Sequence, residues 1–414
     1  MNHLPPDRSH APRTGRFGDY ARRLLCLCLA TLFAGCLAEG TFWLLEKNAQ
    51  RKTFQEGPGG RLIPDSRWGW KVSPGPYRVA TPEFDVRGEV NALYMNSPAF
   101  NPQADAKCVR ILALGDSHTF AAGADRDANW VSQLERKLNA GQSAPRYRAY
   151  NTAVPAYNVH QYLLRLLDQG PIVKPQYVVV GFSYATDLYD LLPPGKGGSF
   201  GLAEVDYFDL ADDGRLVEKH WGGGPVMARS MPNYADEVRG VLGHFATFRF
   251  LRRSPLALWI GSHVRIGGQS LWPNMDVAVE REISPEHVYQ WRLLEALLLR
   301  IQAECRRQHA TLIVVGIPYL AQVYDEIWRV TFGGKPQYDR MAAITRLAAW
   351  CQAHQIAYVD TCAPMRGAVK QLGRWLHHHR DAHPTAEGHA VIAETVFAAG
   401  LIHPSATSEQ EQRP

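Results

Sequence analysis

The chain has 414 residues, 46% hydrophobic and 21% charged, with a formal net charge of +5. That length suits one large domain with appendages. The mild positive balance lies largely in arginines at the amino end, with no basic stripe and interleaved aromatics, so charge gives no support to nucleic-acid binding. The seven cysteines match no zinc-ligand spacing.

Arg8, Arg13, Arg16, Arg22 and Arg23 precede an apolar run from Leu24 to Ala38. Alone, that run suits the core of a signal peptide. Continued through Phe42, Trp43, Leu44 and Leu45 it is long enough to span a bilayer, with Glu39 as its one charge. Residues 1–23 are then a cytoplasmic basic tail and 24–45 a single uncleaved anchor in the inner membrane, because the flanking arginines hold the amino end inside. The carboxyl-terminal part lies in the periplasm. Two alternatives stay open: a cleaved signal peptide, though no clear small-x-small site precedes a polar start, and a lipoprotein signal at Phe33-Ala34-Gly35-Cys36. Cys108, Cys305, Cys351 and Cys362 fall in the exported part, where disulfides are permitted and their pairing is open.

Residues 46–106 are rich in Gly, Pro and Trp and read as a linker with an irregular or short-stranded lead-in. The main domain spans 107–402. Ile111 to Leu114 is an apolar run bounded by Gly115, the pattern of a buried parallel strand. Helical spacing begins near Trp130, with Val131, Leu134 and Leu138. Ser117 therefore lies at a strand-to-helix turn, where open α/β sheets place ligand crevices. Its hydroxyl can face a ligand, with helix N–H groups nearby for a developing negative charge, or it can serve as a helix cap. Thr119 excludes a Gly-x-Ser-x-Gly elbow.

Further strands are expected at Arg148–Val154, Tyr177–Phe182, Thr311–Ile317 and Ile356–Asp360. Helices are expected at Val159–Leu167, His287–Gln308, Tyr338–His354 and Ala386–Ala399. An insertion at about 192–285 holds a hairpin, Tyr207–Leu210 with Arg215–Val217, around Asp212-Asp213-Gly214. Residues 403–414 form a polar, disordered tail. Strands alternating with helices argue for a parallel sheet covered on both faces.

Late in the chain, Asp381 and His383 stand two apart just before a helix start marked by Pro384 and Thr385. One loop can set Asp381 on one ring nitrogen of His383 and turn the other toward Ser117; the same residues could merely organise the helix entry. Together, Gly115-Asp116-Ser117 and Asp381-Ala382-His383-Pro384 resemble the SGNH/GDSL hydrolase family. The resemblance covers Arg110 to about Leu401. With the anchor, Trp68-Gly69-Trp70, Asn91 and Asn96, it extends to the membrane-anchored bacterial branch, which includes enzymes acting on acylated polysaccharides.

The resemblance implies a flavodoxin-like three-layer α/β/α fold behind one transmembrane helix. It implies Ser117 as nucleophile, His383 as base and Asp381 as its orienting acid. The oxyanion donors would be the N–H of Ser117, the N–H of Ala156 in a block that usually carries Gly there, and the hydroxyl of Thr186 where the family has Asn. Asp116 and Asp187 are expected as supporting residues, and no metal or cofactor is required. The expected activity is that of a serine esterase or acyltransferase on acyl, chiefly acetyl, esters of an extracytoplasmic glycan. The alternative is a catalytically weakened binding or assembly component of a polysaccharide export or modification system. Tyr157, Tyr184, Tyr189 and Trp221 could stack on sugars or pack in the core, and His377-His378-His379 reads as a solvated loop.

Overall fold

A computed structural model describes residues 15–51, 54–192, 204–222, 247, 265–266, 269–270, 275–379 and 381–403. Most of the insertion, residues 1–14 and the tail beyond 403 lie outside the described residues.

The amino-terminal helix runs Gly15–Arg51. Its segment Arg22–Leu45 has a mean hydropathy of 1.8, is not buried against the protein, and is long and apolar enough to cross a membrane. The lead-in begins at once, with β1 (Phe54–Glu56). β2 (Leu62–Asp65) and β3 (Gly69–Val72) form a hairpin. β4 (Gly75–Ala80) pairs antiparallel with β1 and with β5 (Asp85–Val90).

The main domain is built on a five-stranded sheet of β6 (Val109–Gly115), β7 (Tyr147–Asn151), β8 (Tyr177–Ser183), and two later strands. Before those come the hairpin β9 (Glu204–Leu210) with β10 (Leu216–Gly222), and the short pair β11 (Arg265–Ile266) and β12 (Gln269–Ser270). β13 (Thr311–Ile317) and β14 (Ala357–Asp360) complete the sheet. Its order is β14-β13-β8-β6-β7 with every pair parallel. Counting only these strands, the order is 2-1-3-4-5, the flavodoxin-like arrangement, and the switch point lies between β6 and β8.

Period-two alternation sends each strand's side chains to two cores. Leu112, Leu114, Val178, Val180, Leu312 and Val314 join one apolar cluster with Leu163 and Leu166 of the helix Val159–Val173 and Leu294 and Leu298 of the helix Val288–Arg307. Ile111, Ala113, Val179, Ile313 and Val315 join the other with Trp130 and Leu134 of the helix Trp130–Leu138 and Ile392 and Val396 of the helix Ala386–Ala398. Three layers follow directly. Asn129, Asn158 and Thr385 cap their helices by accepting backbone N–H groups.

The helix expected from Tyr338 begins at Ala342, because Tyr338 is held in an antiparallel bridge with Glu280 and its hydroxyl donates to Asp276 at 2.7 Å. The helices Leu320–Val323, Asp325–Thr331 and Cys362–Leu372 were not expected. Cys108, Cys305, Cys351 and Cys362 are buried free thiols.

Candidate active site

Ser117 stands at the carboxyl end of β6, at the switch point. The turn is tight for a packing reason. Thr119 folds back under the strand ends, where a Cβ at Gly115 would lie 2.4 Å from it and a Cβ at Gly181 of β8 would lie 2.1 Å from its Oγ1. The cap of the helical turn Ser117–Phe120 is Asp116, whose carboxylate accepts the His118 N–H at 2.8 Å. Ser117 is thereby relieved of capping, and its Oγ lies 2.7 Å from His383 Nε2. The other ring nitrogen, Nδ1, is hydrogen-bonded to Asp381 Oδ1.

The loop carrying Asp381 and His383 is a small hairpin. His377 bridges Pro384, the His378 N–H donates to the His383 carbonyl at 2.9 Å, and the Ala382 N–H donates to the His378 carbonyl at 3.0 Å. Ala382 takes a φ of +71° to close it. From beneath, the Tyr324 hydroxyl accepts the Leu376 N–H and meets His377 Nδ1, both at 2.9 Å. The three adjacent histidines part company: His377 faces Tyr324, His378 Nε2 meets the Gly123 carbonyl at 2.9 Å, and His379 lies on Trp375.

The expected oxyanion donors differ in state. Among the described residues, neither the Ser117 nor the Ala156 N–H has an acceptor within the protein. Ala156 sits at φ +64°, the left-handed region in which a side chain is strained, so this position does call for the conformation that Gly adopts freely. The block is held by the lead-in: Trp70 Nε1 donates to the Pro155 carbonyl at 3.0 Å, and the Tyr157 hydroxyl donates to the Trp70 carbonyl. The Thr186 hydroxyl donates to Asp116 Oδ2 at 2.8 Å. Its single hydrogen is thus engaged on Asp116 rather than offered to the crevice.

Asp116, 1% exposed, also receives His118 Nδ1 at 3.0 Å. Burial pushes Asp116 up, but the charge and N–H groups of His118 and the Thr186 hydroxyl more than offset it and hold it below the usual carboxylate range. Burial likewise works against a charged His118, yet Asp116 raises it. Asp187 goes the other way. Fully buried and near the Asp116 charge, it is raised well above the carboxylate range, although Tyr162 OH and the Ser183 N–H each donate to it at 2.7 Å. Burial would raise Asp381 too, but its bond to His383 and the charge of that ring bring it below the usual value.

Tyr157 and Tyr184 are 2% and 0% exposed and pack in the core, so neither can stack on a sugar. The sequence reading missed Glu83, Phe84, Trp70 and Tyr324 as supports of the site. They act across the fold; the local signals were the turn-forming Thr81-Pro82 ahead of the first pair and the Trp68-Gly69-Trp70 motif, whose contact with the Ala156 block no spacing shows.

No family model and no curated protein matches the chain. Among solved structures, a catalytic mutant of Axe2, an acetylxylan esterase from Geobacillus stearothermophilus, is 13% identical, with 71% of this chain and 94% of that chain covered and a TM-score of 0.37. LAE5, an alpha/beta hydrolase enzyme from the metagenome of Lake Arreo, is 16% identical, with 72% and 97% covered and a TM-score of 0.36. TesA is 15% identical, with 70% and 96% covered and a TM-score of 0.34.

Proposed function

We propose that this chain is a serine esterase or acyltransferase, anchored in the inner membrane by its amino-terminal helix with the main domain in the periplasm. It acts on acyl esters, chiefly acetyl, of an extracytoplasmic glycan. The observation that carries the chemistry is the continuous path Asp381–His383–Ser117, with 2.7 Å between His383 Nε2 and Ser117 Oγ. The glycan and the periplasm rest on the sequence resemblance and on the arginine-flanked apolar helix.

In this reading His383 takes the Ser117 proton as Oγ attacks the ester carbonyl. The negative charge gathers on the carbonyl oxygen, between the Ser117 and Ala156 N–H groups. His383 then protonates the departing sugar oxygen, leaving an acyl-serine. Water or a second hydroxyl attacks that acyl group, His383 takes the acceptor's proton, and Ser117 is released with its proton restored. Asp381 holds the imidazole in the required tautomer.

The alternative, a weakened binding or assembly component, is favoured by one observation: Thr186 gives its hydrogen to Asp116, so the side-chain donor expected at that position is not offered to the oxyanion. Labelling with a fluorophosphonate probe decides between them. The enzyme reading expects labelling at Ser117 that Ser117→Ala abolishes; an unlabelled folded protein would sink it. Mass spectrometry of surface glycans from a deletion strain tests the substrate class, with retained acyl groups expected for an esterase and missing ones for a transferase.

A further inference from the structure

The lead-in lies outside the three layers, yet it bonds to three loops of the candidate site. Its hairpin holds the Ala156 block through Trp70. Asn96, just beyond β5, donates to the Phe120 carbonyl at 2.8 Å, on the nucleophile's turn. The β4–β5 turn reaches the third loop. There Thr81 Oγ1 accepts the N–H groups of Glu83 and Phe84, each at 3.1 Å, and the Thr81 N–H donates to the Phe84 carbonyl at 2.8 Å. The turn is therefore rigid by its own bonds.

From this turn Glu83 Oε2 accepts the backbone N–H of Asp381 at 2.9 Å. The Phe84 ring packs on His378 with centroids 5.0 Å apart. His378 is fixed at its far end on the Gly123 carbonyl, where a Cβ at Gly123 would come within 2.8 Å of the imidazole. Beside these contacts, the Arg87 N–H donates to Asp125 Oδ1 at 2.6 Å, tying β5 to the segment that follows the nucleophile's turn.

We infer that Glu83 and Phe84 are positioning residues for the acid–base loop, clamping it at Asp381 and His378 so that His383 meets Ser117. This rests on the serine-hydrolase reading above. Asp381 spends its carboxylate on His383, while its backbone N–H, held by Glu83, fixes where that carboxylate starts from. The neighbouring Ala382 sits at φ +71°, a conformation that persists only where its surroundings hold it. Glu83 acts on the backbone of the loop, at the Asp381 N–H.

The test compares Glu83→Ala with Glu83→Gln in the full-length protein, Glu83 being partly exposed so that both variants should fold. Misplacement of a reacting group by about 1 Å can cost roughly a hundredfold, and a partly slackened loop should cost about tenfold. Glu83→Ala should lower kcat on p-nitrophenyl acetate and the fluorophosphonate labelling rate by that tenfold, leaving KM and the thermal midpoint nearly unchanged. Glu83→Gln keeps an oxygen to accept the Asp381 N–H and should recover most of the loss. Hydrogen exchange gives a readout that needs no activity: residues 376–385 should exchange faster in Glu83→Ala and return toward the wild-type rate in Glu83→Gln. If wild type does not label but the exchange pattern holds, the clamp stands and the hydrolase reading fails. If Glu83→Ala exchanges like wild type, or Glu83→Gln behaves like Glu83→Ala in exchange, the clamp is overturned whatever the activity.

Discussion

On the proposed chemistry Ser117 and His383 act as one unit, so Ser117→Ala and His383→Ala should each remove essentially all turnover of p-nitrophenyl acetate, and their double variant should lose no more. Asp381→Asn should also be severely impaired, since its amide can favour the wrong imidazole tautomer. Thr186 gives a sharper reading. Losing an oxyanion donor costs about a hundred- to a thousandfold in kcat, but this hydroxyl donates to Asp116 in the resting site. Thr186→Val should therefore cost less than about tenfold, the loss coming through Asp116; a hundredfold fall would mean that the hydroxyl swings to the oxyanion during reaction. Asp187 carries a pH signature. Its folded value is raised, so its contribution to stability is whole below the ordinary carboxylate range and is lost as pH rises through the folded value. Asp187→Asn removes that titration, so urea denaturation between pH 4 and 8 should show wild type losing ground to the variant as pH rises. A pH-independent difference would mean that Asp187 is ionised in the fold.

The elements differ in how openly the sequence declares them. β6, β8 and β13 are buried on both faces, so they appear as unbroken apolar runs, and the turns they feed hold Ser117 and Thr186. Ser117 and the Asp381–His383 pair stand out in the sequence because each motif is local, and the structure brings the three side chains together. The lead-in was legible only as an irregular or short-stranded stretch, without its strand bounds or pairing, because its strands are short, antiparallel and half-exposed, with Pro76 and Gly88 inside them. The strain at Ala156 and the destination of the Thr186 hydrogen depend on contacts with Trp70 and Asp116, which no spacing encodes. Gly181 tests the packing under the turn. A Cβ there meets Thr119 Oγ1 at 2.1 Å, so Gly181→Ala should destabilise by about 1–3 kcal/mol, the usual cost of overpacking. Adding Thr119→Ala should return part of that loss in a double-mutant cycle, because the two residues touch. Simple additivity would show that the clash is relieved elsewhere.

For the whole molecule, the proposed topology predicts that the full-length protein fractionates with the inner membrane, resists carbonate extraction and keeps its amino terminus. A soluble periplasmic form starting near Glu39, or a diacylated Cys36, would replace the anchor with one of the other two readings. The join between the apolar helix and the lead-in then sets a scale. The helix ends at Arg51 and β1 begins at Phe54, a span that a fully stretched chain covers in at most about 11 Å. The lead-in that starts there bonds to the Ser117 turn, the Ala156 block and the Asp381–His383 loop. If the apolar helix is the proposed anchor and this edge the proposed active site, an edge tied to its tether in this way could not roam its compartment. On that proposal it would search a thin layer above the bilayer, moving sideways with its anchor, and would meet a long polymer where that polymer passes close to the membrane, before the polymer has travelled outward.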